Sequence, residues 1–243
     1  MTNDPGLPLL EISGVSRCFS SPAETIWAVR DANLRAFPGE FVCIFGTSGS
    51  GKSTLLNTIA GLDIPDRGRV LVESTDLARL DEDQRAQMRL STIGVVFQDY
   101  NLVEEFTAAE NVALPLEVRG MASTEARRLA DEQLERVGLG GLGNRLAVQF
   151  SGGQRQRIGI ARALIGDRRI LVADEPTGAL DSQNSRALFK LLRELCDQGT
   201  LVIVCSHDTM TQEFADTVYE MVDGQLLRRE SSMRENGVAC SQV

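Results

Sequence analysis

The stretch GTSGSGKST, which runs from Gly46 to Thr54, decides the fold class of this chain. It fits the phosphate-binding pattern G-x-x-x-x-G-K-[ST]. The apolar run FVCIFG precedes it, and TLLNTIAGL, whose apolar residues have helical spacing, follows it. A strand, a glycine-rich loop and a helix in this order are the context that the pattern requires. A loop that merely caps a helix would not need the complete pattern, so the sequence predicts a phosphate-binding loop.

Each part of this loop has a chemical use. Glycines let the backbone wrap closely around a phosphate, and the start of the following helix favours an anion. Lys52 would reach the terminal phosphates of a nucleotide, and Ser53 would bind a magnesium ion. The predicted nucleotide-binding residues of the loop are Gly46, Thr47, Ser48, Gly49, Ser50, Gly51, Lys52, Ser53 and Thr54.

Three more apolar runs follow, namely IGVVFQD at residue 93, ILVADEP at residue 170 and LVIVCSHD at residue 201. Unbroken apolar strands are typical of a parallel sheet that helices cover on both faces. In open sheets of this kind, ligands bind at the carboxyl ends of the strands. We therefore expect the polar residues at these strand ends to share one edge of the sheet: Gly46, Gln98, Asp174, Glu175 and His207.

Asp174 and Glu175 form an adjacent pair of carboxylates in the run ILVADEP. Two carboxylates at the tip of a strand repel each other, and a bound divalent cation would offset this repulsion. Asp174 would face the magnesium ion, and Glu175 could accept a proton from an attacking water molecule. The alternative is a solvated pair of loop carboxylates without a role in catalysis.

A second glycine-rich loop begins the segment FSGGQRQRIGIARAL at Phe150. Ser151 and two glycines precede apolar residues at helical spacing, so the Ser151 hydroxyl and the first helical N–H groups would form another anion site. One nucleotide hardly needs two such sites. For the tripeptide Ser-Gly-Gly alone, a flexible turn is the simpler interpretation.

The composition limits the class of protein. With 243 residues and 42% hydrophobic residues, the chain can form one domain, or one domain with an inserted subdomain, around a full core. A net charge of -9 argues against a nucleic-acid partner that is bound by phosphate neutralisation. Five cysteines without a C-x-x-C pair suit reduced thiols rather than a disulfide framework.

The start of the chain, MTNDPGLPLLEISG, lacks the basic and apolar regions of a signal peptide. No apolar run approaches the roughly 20 residues that cross a bilayer. We therefore expect a cytoplasmic protein whose membrane role, if it has one, depends on a partner.

The organisation of the chain follows from its patterns. PLLEISGVSRCF and GRVLVEST predict antiparallel strands, STEARRLADEQLERVG predicts a helix, and Asp223-Gly224 predicts a hairpin turn. We assign an ATP-binding core with an antiparallel β subdomain to residues 1–97 and a helical subdomain with the Ser-Gly-Gly loop to residues 98–160. The rest of the core would occupy residues 161–230, followed by a polar tail at 231–243.

The motifs GTSGSGKST, VFQD, FSGGQ, ILVADEP, GALD and CSHD occur in the order found in ABC ATPases, the nucleotide-binding subunits of ABC transporters. Over roughly residues 9–227, the chain resembles this family. GLDIPDRGRVLV, FTAAENVALPL and ADEPTGALDS resemble its subgroup that serves macrolide exporters, lipoprotein-release complexes and antimicrobial-peptide transporters. The resemblance implies an α/β fold: a P-loop NTPase (RecA-like) core with a mostly parallel sheet, an antiparallel β subdomain and an inserted helical subdomain.

The resemblance also implies the catalytic arrangement. His207, the only histidine in the chain, would hydrogen-bond the γ-phosphate of ATP and help to place the attacking water beside Glu175. Lys52 would complete the catalytic set, and Mg²⁺ would be held by Ser53, Gln98 and Asp174. The expected activity is ATP hydrolysis coupled to transport.

Two chains would sandwich two ATP molecules, because the family closes the FSGGQ motif of one subunit over the nucleotide of another. Its residues Ser151, Gly152, Gly153 and Gln154 would then bind ATP across the dimer. Asp181 would lie at the dimer seam. Phe19 matches the aromatic residue that stacks on adenine, with an ordinary strand-core phenylalanine, or stacking by Trp27, as alternatives.

The expected partners are a second copy of this chain and a separate transmembrane permease, which would hold the chain at the inner face of the cell membrane. The segment DYNLVEEFTAAENV would receive the permease, unless its apolar residues only pack the helical subdomain. Export or membrane extraction of a lipophilic drug, lipoprotein or peptide is the expected function.

The chain departs from the family pattern at two positions. It has Phe150 where the signature motif usually begins with leucine, and Ala179 where the subgroup often has asparagine. Neither departure removes a group that takes part in the chemistry.

Other classes of protein fit less well. A soluble ABC-type ATPase without a membrane partner, acting on DNA or ribosomes, would need a coiled coil, a second cassette or a basic arm. A module that senses ATP without hydrolysing it would be expected to lack Glu175 or His207. A kinase would have no use for the SGGQ motif.

Overall fold

The computed structural model describes residues 6–21, 24–178 and 180–229. Its strands are β1 (Leu10–Ser20), β2 (Thr25–Ala36), β3 (Phe41–Phe45), β4 (Arg67–Val72), β5 (Thr75–Asp76), β6 (Ile93–Val96), β7 (Ile170–Asp174), β8 (Leu201–Ser206), β9 (Thr217–Val222) and β10 (Gln225–Arg228). Its α-helices are α1 (Lys52–Ile59), α2 (Glu82–Ser91), α3 (Ala108–Val118), α4 (Ser123–Arg136), α5 (Gly152–Leu164) and α6 (Ser182–Asp197).

These strands form a single sheet in the order β5-β4-β1-β2-β10-β9-β3-β8-β7-β6. The neighbours β9, β3, β8, β7 and β6 are all parallel. At the other end, β1 is antiparallel to β2 and β4, and β4 is antiparallel to β5. The predicted α/β fold, with a mostly parallel core and an antiparallel part, is confirmed.

Both faces of the parallel strands β3, β6, β7 and β8 are mostly buried, which explains their unbroken apolar runs. In β7, Ile170 and Val172 pack into one hydrophobic cluster with α1 and the antiparallel strands, while Leu171 and Ala173 pack into another with α3, α4, α5 and α6. Since successive side chains of a strand point to opposite faces, two buried faces need apolar residues at every position.

The helices α3, α4 and α5 pack against one another beside the parallel edge of the sheet. Ala126, Ala130 and Leu134 of α4 are buried, as their spacing predicts. Helix α5 continues across the boundary predicted at residue 160, so this division of the chain stays a prediction. The predicted tail at 231–243 and the departure at Ala179 lie outside the described residues.

The predicted hairpin turn at Asp223-Gly224 joins β9 to β10, with Gln225 opposite Val222. Both turn residues have positive φ, 47° and 81°, as a two-residue hairpin turn of type I′ requires. Across the described parts of the chain, no helix combines the length and the apolar character needed to span a bilayer.

Candidate functional site

The phosphate-binding loop connects β3 to α1 and is wedged between two other strands. A Cβ atom on Gly51, whose φ is 107°, would lie 2.0 Å from the carbonyl oxygen of Ala28 in β2. A Cβ atom on Gly46 would lie 2.5 Å from the carbonyl oxygen of Met221 in β9. The hairpin adds a hydrogen bond from the N–H of Gly224 to the carbonyl oxygen of Ser50, at 3.0 Å. Glycine is therefore required at both ends of the loop by the fold itself.

The helix that leaves the loop, α1, begins without the usual stabilising groups. Its N-cap is Gly51, which has no side chain, and its first turn carries no acidic residue. Most helices satisfy their first N–H groups with a capping side chain. Here those groups and the positive end of the helix are directed to the loop, where an anion such as a phosphate fits.

Lys52 is the first residue of α1 and is 5% exposed. Its Nζ atom donates hydrogen bonds to the carbonyl oxygens of Gly46 at 2.9 Å and Thr47 at 3.0 Å. The same Nζ atom lies 3.3 Å from Oε1 of Glu175, which follows β7. The lysine and the glutamate predicted to act in catalysis therefore form a buried ion pair.

Glu175 also contacts the single histidine. Its Oε2 atom lies 2.9 Å from Nδ1 of His207 and accepts the backbone N–H of His207 at 3.3 Å. The carboxylate is 13% exposed and the imidazole is 66% exposed. The start of α1 and the ends of β7 and β8 thus bring the three predicted catalytic side chains together.

The backbone of Glu175 is itself unusual, with a φ of 45°. A left-handed conformation in a residue other than glycine, asparagine or aspartate costs of order 1–3 kcal/mol and often marks a functional site. The conformation is held by a hydrogen bond from the N–H of Glu175 to the carbonyl oxygen of Cys205, at 2.9 Å.

Asp174, the last residue of β7, has a buried Oδ1 atom without a hydrogen-bond partner in the described residues. Burial raises the pKa of this carboxyl above its ordinary value, while the Ser53 hydroxyl opposes that rise. Glu175 raises the pKa further and Lys52 lowers it. A buried carboxylate oxygen with no donor, next to a serine hydroxyl, suits a hard divalent cation such as Mg²⁺.

Gln98 follows β6 and borders the same site. Its side-chain nitrogen lies 3.7 Å from the position of a Cβ atom on Gly178, in the loop after Glu175. Over residues 6–21, 24–178 and 180–229, no cluster of three or more His, Cys, Asp or Glu residues could hold a metal by itself. A magnesium ion at Ser53, Gln98 and Asp174 would need additional oxygen ligands, because Mg²⁺ prefers octahedral coordination.

The Ser-Gly-Gly loop starts α5 and is exposed at Ser151. Ser151 Oγ accepts the N–H of Gln154 at 3.4 Å, and Gln154 Oε1 accepts the N–H of Ser151 at 3.1 Å. A Cβ atom on Gly153 would lie 3.5 Å from Leu180 Cδ2, just before α6. There Asp181 caps α6 by accepting the N–H of Asn184, which lowers the pKa of Asp181. The structure thus brings the Ser-Gly-Gly loop and Asp181 to one surface.

Phe19, at the end of β1, is 48% exposed, so it is not a core residue. It pairs with Ile26 in the ladder between β1 and β2. Phe150, in contrast, is 3% exposed and packs in the core, where leucine would also fit.

The profile of the ABC transporter family matches residues 29–178 of the chain. The chain belongs to the ABC transporter family. Its fold and its ATPase domain are those of the family, as the sequence predicts. The matched segment contains the phosphate-binding loop, Gln98, the Ser-Gly-Gly loop and Glu175, while Phe19 and His207 lie outside it.

The chain is similar to two kinds of ABC protein. It is 42% identical over 230 residues to the macrolide export ATP-binding/permease protein MacB of Wolinella succinogenes, covering 94% of this chain and 36% of that protein. It is 41% identical over 220 residues to the lipoprotein-releasing system ATP-binding protein LolD 2 of Caulobacter vibrioides, covering 90% of this chain and 96% of that protein. The chain therefore spans about a third of the MacB relative and almost all of the LolD relative.

Solved ABC cassettes share its fold. The dimeric structure of the cassette MJ0796 in a post-hydrolysis state, bound to ADP and Pi, has a TM-score of 0.85 and 39% sequence identity, and covers 93% of this chain and 99% of that chain. The MacB and LolD relatives represent two of the three transporter groups that the sequence resembles.

Several contacts that shape this ABC site are absent from the sequence prediction. Ala28 and Met221 determine which loop positions must be glycine, and Gly224 donates a hydrogen bond to the loop. Arg162 of α5 donates to the carbonyl oxygens of Tyr100 and Asn101, the left-handed turn after Gln98. The Asp223-Gly224 dipeptide predicts the hairpin turn. No pattern in the neighbouring sequence indicates that this turn supports the phosphate-binding loop.

Proposed function

We propose that this chain is the ATP-hydrolysing subunit of an ABC transporter. The observation that carries the proposal is the meeting of Lys52, Glu175 and His207 next to a glycine loop that opens an uncapped helix. A buried cation beside helical N–H groups binds the phosphates of ATP. A carboxylate next to an imidazole can take a proton from water.

The steps of hydrolysis follow from these contacts. The γ-phosphate competes with Glu175 for the Nζ atom of Lys52, which releases the carboxylate for its role as a base. Glu175 then takes a proton from the water whose oxygen attacks the γ-phosphorus, and the bond to the β,γ-bridging oxygen breaks. His207 holds the γ-phosphate and the water in place. Positioning and charge stabilisation supply most of the rate in phosphoryl transfer.

Mg²⁺ is the proposed cofactor, held by Ser53, Gln98, Asp174 and phosphate oxygens. When bound, it would neutralise negative charge on the phosphates. The unpartnered Oδ1 atom of Asp174 supports this set.

The working unit is proposed to be a homodimer that encloses two ATP molecules. Ser151, Gly152, Gly153 and Gln154 of one copy would contact the nucleotide on the loop of the other, with Asp181 at the seam. The exposure of Ser151 and the adjoining position of Asp181 support this arrangement, and so does the dimeric state of the similar cassette MJ0796.

A separate permease is proposed to bind an apolar surface formed by Phe106, Leu146 and Val148, which are 37%, 38% and 50% exposed. These residues adjoin, since Ala147 donates its N–H to the carbonyl oxygen of Phe106. A pocket lined by Tyr100 and other side chains lies beside them. Clustered exposed apolar residues are typical of an interaction site.

The proposed task is export, or extraction from the membrane, of a lipophilic drug, lipoprotein or peptide, with the chain at the inner face of the cell membrane. Similarity to MacB and to LolD supports this task. A soluble ABC-type ATPase without a membrane partner is the alternative, and the net charge of -9 argues against a form of it that acts on nucleic acid.

The test is a pull-down of the Glu175→Gln variant with ATP and Mg²⁺ from detergent-solubilised membranes of the native host, with mass spectrometry of the co-purified proteins. We expect to recover a permease with this variant. Less of it should be recovered when Val148→Asp is combined with Glu175→Gln. Val118→Asp is the control, because Val118 is 65% exposed at the end of α3. Recovery of an intact ATP-bound dimer without any membrane protein would favour the soluble ATPase.

A further inference from the structure

One face of the Phe19 ring is covered by an arginine. The guanidinium carbon of Arg17, two residues earlier in β1, lies 5.1 Å from the centroid of the Phe19 ring. A guanidinium over an aromatic face is attracted by the negative potential of that face. The ring therefore has one face against a cation, while its side chain remains half exposed.

Arg17 is held in place by two carboxylates. Its Nε and Nη2 atoms donate to the two carboxylate oxygens of Asp63 at 3.3 and 2.8 Å, and Nη1 donates to Asp66 at 3.1 Å. Asp66 also accepts the N–H of Cys18, the residue between Arg17 and Phe19, at 2.7 Å. Paired contacts of this kind fix the plane of a guanidinium as well as its position.

These carboxylates are connected to the phosphate-binding loop. Asp63 and Asp66 lie in the segment after α1, the helix that leaves that loop. The N–H groups of Leu62 and Asp63 both bond to the carbonyl oxygen of Asn57 in α1, at 2.9 and 3.2 Å. The position of Arg17 is therefore set by the same helix whose start is proposed to bind phosphate.

Phe19 also pairs with the strand that contacts the loop. Ile26, which is opposite Phe19, is two residues before Ala28, whose carbonyl oxygen adjoins Gly51. Two residues of a strand span about 7 Å. The strand position opposite Phe19 is therefore close to the loop, and a nucleotide with its phosphates on the loop would extend its base toward this ring.

We propose that Arg17 is a positioning residue for the nucleotide base: it covers one face of Phe19 and directs the other face to the adenine. This inference rests on the proposed function, in which ATP binds at the loop and Phe19 stacks on its base. The Arg17 side chain does not touch the nucleotide, and its effect on affinity passes through the ring of Phe19.

A second arginine-aromatic pair offers an internal control. Arg67 lies 5.3 Å from the centroid of Trp27, yet within the described residues it forms no ion pair with a carboxylate. The Arg67→Met and Arg17→Met variants remove the same chemical group from two neighbouring aromatic rings. Arg67→Met also tests Trp27, the alternative residue for base stacking.

The experiment measures the Kd of ATP and of inorganic tripolyphosphate, which has no base, with Mg²⁺ present. We expect Arg17→Met to raise the Kd of ATP about two- to fivefold, as for loss of a partly exposed cation–π contact. The Kd of tripolyphosphate should not change. In a Phe19→Leu background, Arg17→Met should have no further effect on ATP, and Arg67→Met should have none in either background.

Three results would overturn the inference: an unchanged Kd of ATP in Arg17→Met, an equal loss for tripolyphosphate, or an equal loss in the Phe19→Leu background. The Lys52→Ala variant separates these outcomes from failure of the proposed function, because it should weaken both ligands. If Arg17→Met does not fold, Arg17→Lys keeps a cation near Asp63 without the planar group. It should then raise the Kd of ATP only when Phe19 is present.

Discussion

Two helices of this molecule begin with a Ser/Gly-rich loop, and the two beginnings differ in construction. Helix α1 starts at Gly51 with no capping side chain, and the close approach of β9 and β2 requires glycine at positions 46 and 51 of its loop. Helix α5 starts at Ser151 with a complete capping box, and a Cβ atom on Gly153 would make only ordinary contacts, at 3.5 Å or more.

The difference indicates where each loop is completed. The α1 loop lies beside the Lys52–Glu175 ion pair of its own chain, and contacts within that chain account for Gly46 and Gly51. Nothing packed against Gly153 within the described residues requires glycine, and we propose that its role is the contact with a second copy. In the proposed dimer, the α1 loop would form one half of a nucleotide site, and the Ser-Gly-Gly loop would form the half that a second copy uses.

The largest effect should come from Glu175→Gln. The substitution keeps the shape of the side chain but removes the proton acceptor, so steady-state ATP hydrolysis should fall about 10²- to 10³-fold. Binding of ATP should persist, because Lys52 loses its competing carboxylate. Hydrolysis and equilibrium binding are measured together. Glu213→Gln is the control, since Glu213 pairs with Arg186 at the surface, and normal turnover by Glu175→Gln would contradict its assignment.

The Gly51→Ala variant tests whether the fold requires glycine in the α1 loop. Its Cβ atom would collide with Ala28 at 2.0 Å, and its φ of 107° disfavours alanine. We expect a loss of about 2–4 kcal/mol in the free energy of unfolding, measured with urea.

Gly49→Ala separates the two causes in that variant. Gly49 also has a positive φ, 79°, but no atom lies within 4 Å of its Cβ position. The Gly49→Ala variant should therefore lose only the conformational part of the free energy of unfolding, about 1–2 kcal/mol. Equal losses in the two variants would show that the collision with Ala28 is relieved at no cost.

Much of this architecture could be predicted from the sequence because its signals are local. Apolar runs predicted the parallel strands, and Asp223-Gly224 predicted the hairpin turn. The contacts that wedge the loop are not local: Gly51 meets both Ala28 and Met221, from opposite ends of the chain. The same holds for Arg17, whose two carboxylates are more than 40 residues away along the chain, at separations of 46 and 49. Such contacts leave no periodicity or motif in the sequence.

Gly153→Ala tests the other half of the comparison. Alanine fits the space and has a higher helix propensity, so the free energy of unfolding should stay the same or rise by up to about 1 kcal/mol. ATP hydrolysis should nevertheless fall about tenfold to a hundredfold, because a small displacement of the second copy misplaces the γ-phosphate. ATP-dependent dimerisation in the Glu175→Gln background is the second measurement. Unchanged hydrolysis and dimerisation would contradict a role for Gly153 in the dimer.

The smallest effect is expected for the helix N-caps, because two of them in this chain have the same construction. Ser151 and Thr107 each cap a helix within a capping box, and their hydroxyl oxygens accept an N–H at 3.4 and 3.3 Å. Ser151→Ala and Thr107→Ala should each lower the free energy of unfolding by about 1 kcal/mol. Only Ser151→Ala should also weaken ATP-dependent dimerisation, since only that hydroxyl is proposed to face a nucleotide on another copy. If the two variants dimerise equally well, the Ser151 hydroxyl is a helix cap alone, and the second anion site must depend on backbone N–H groups.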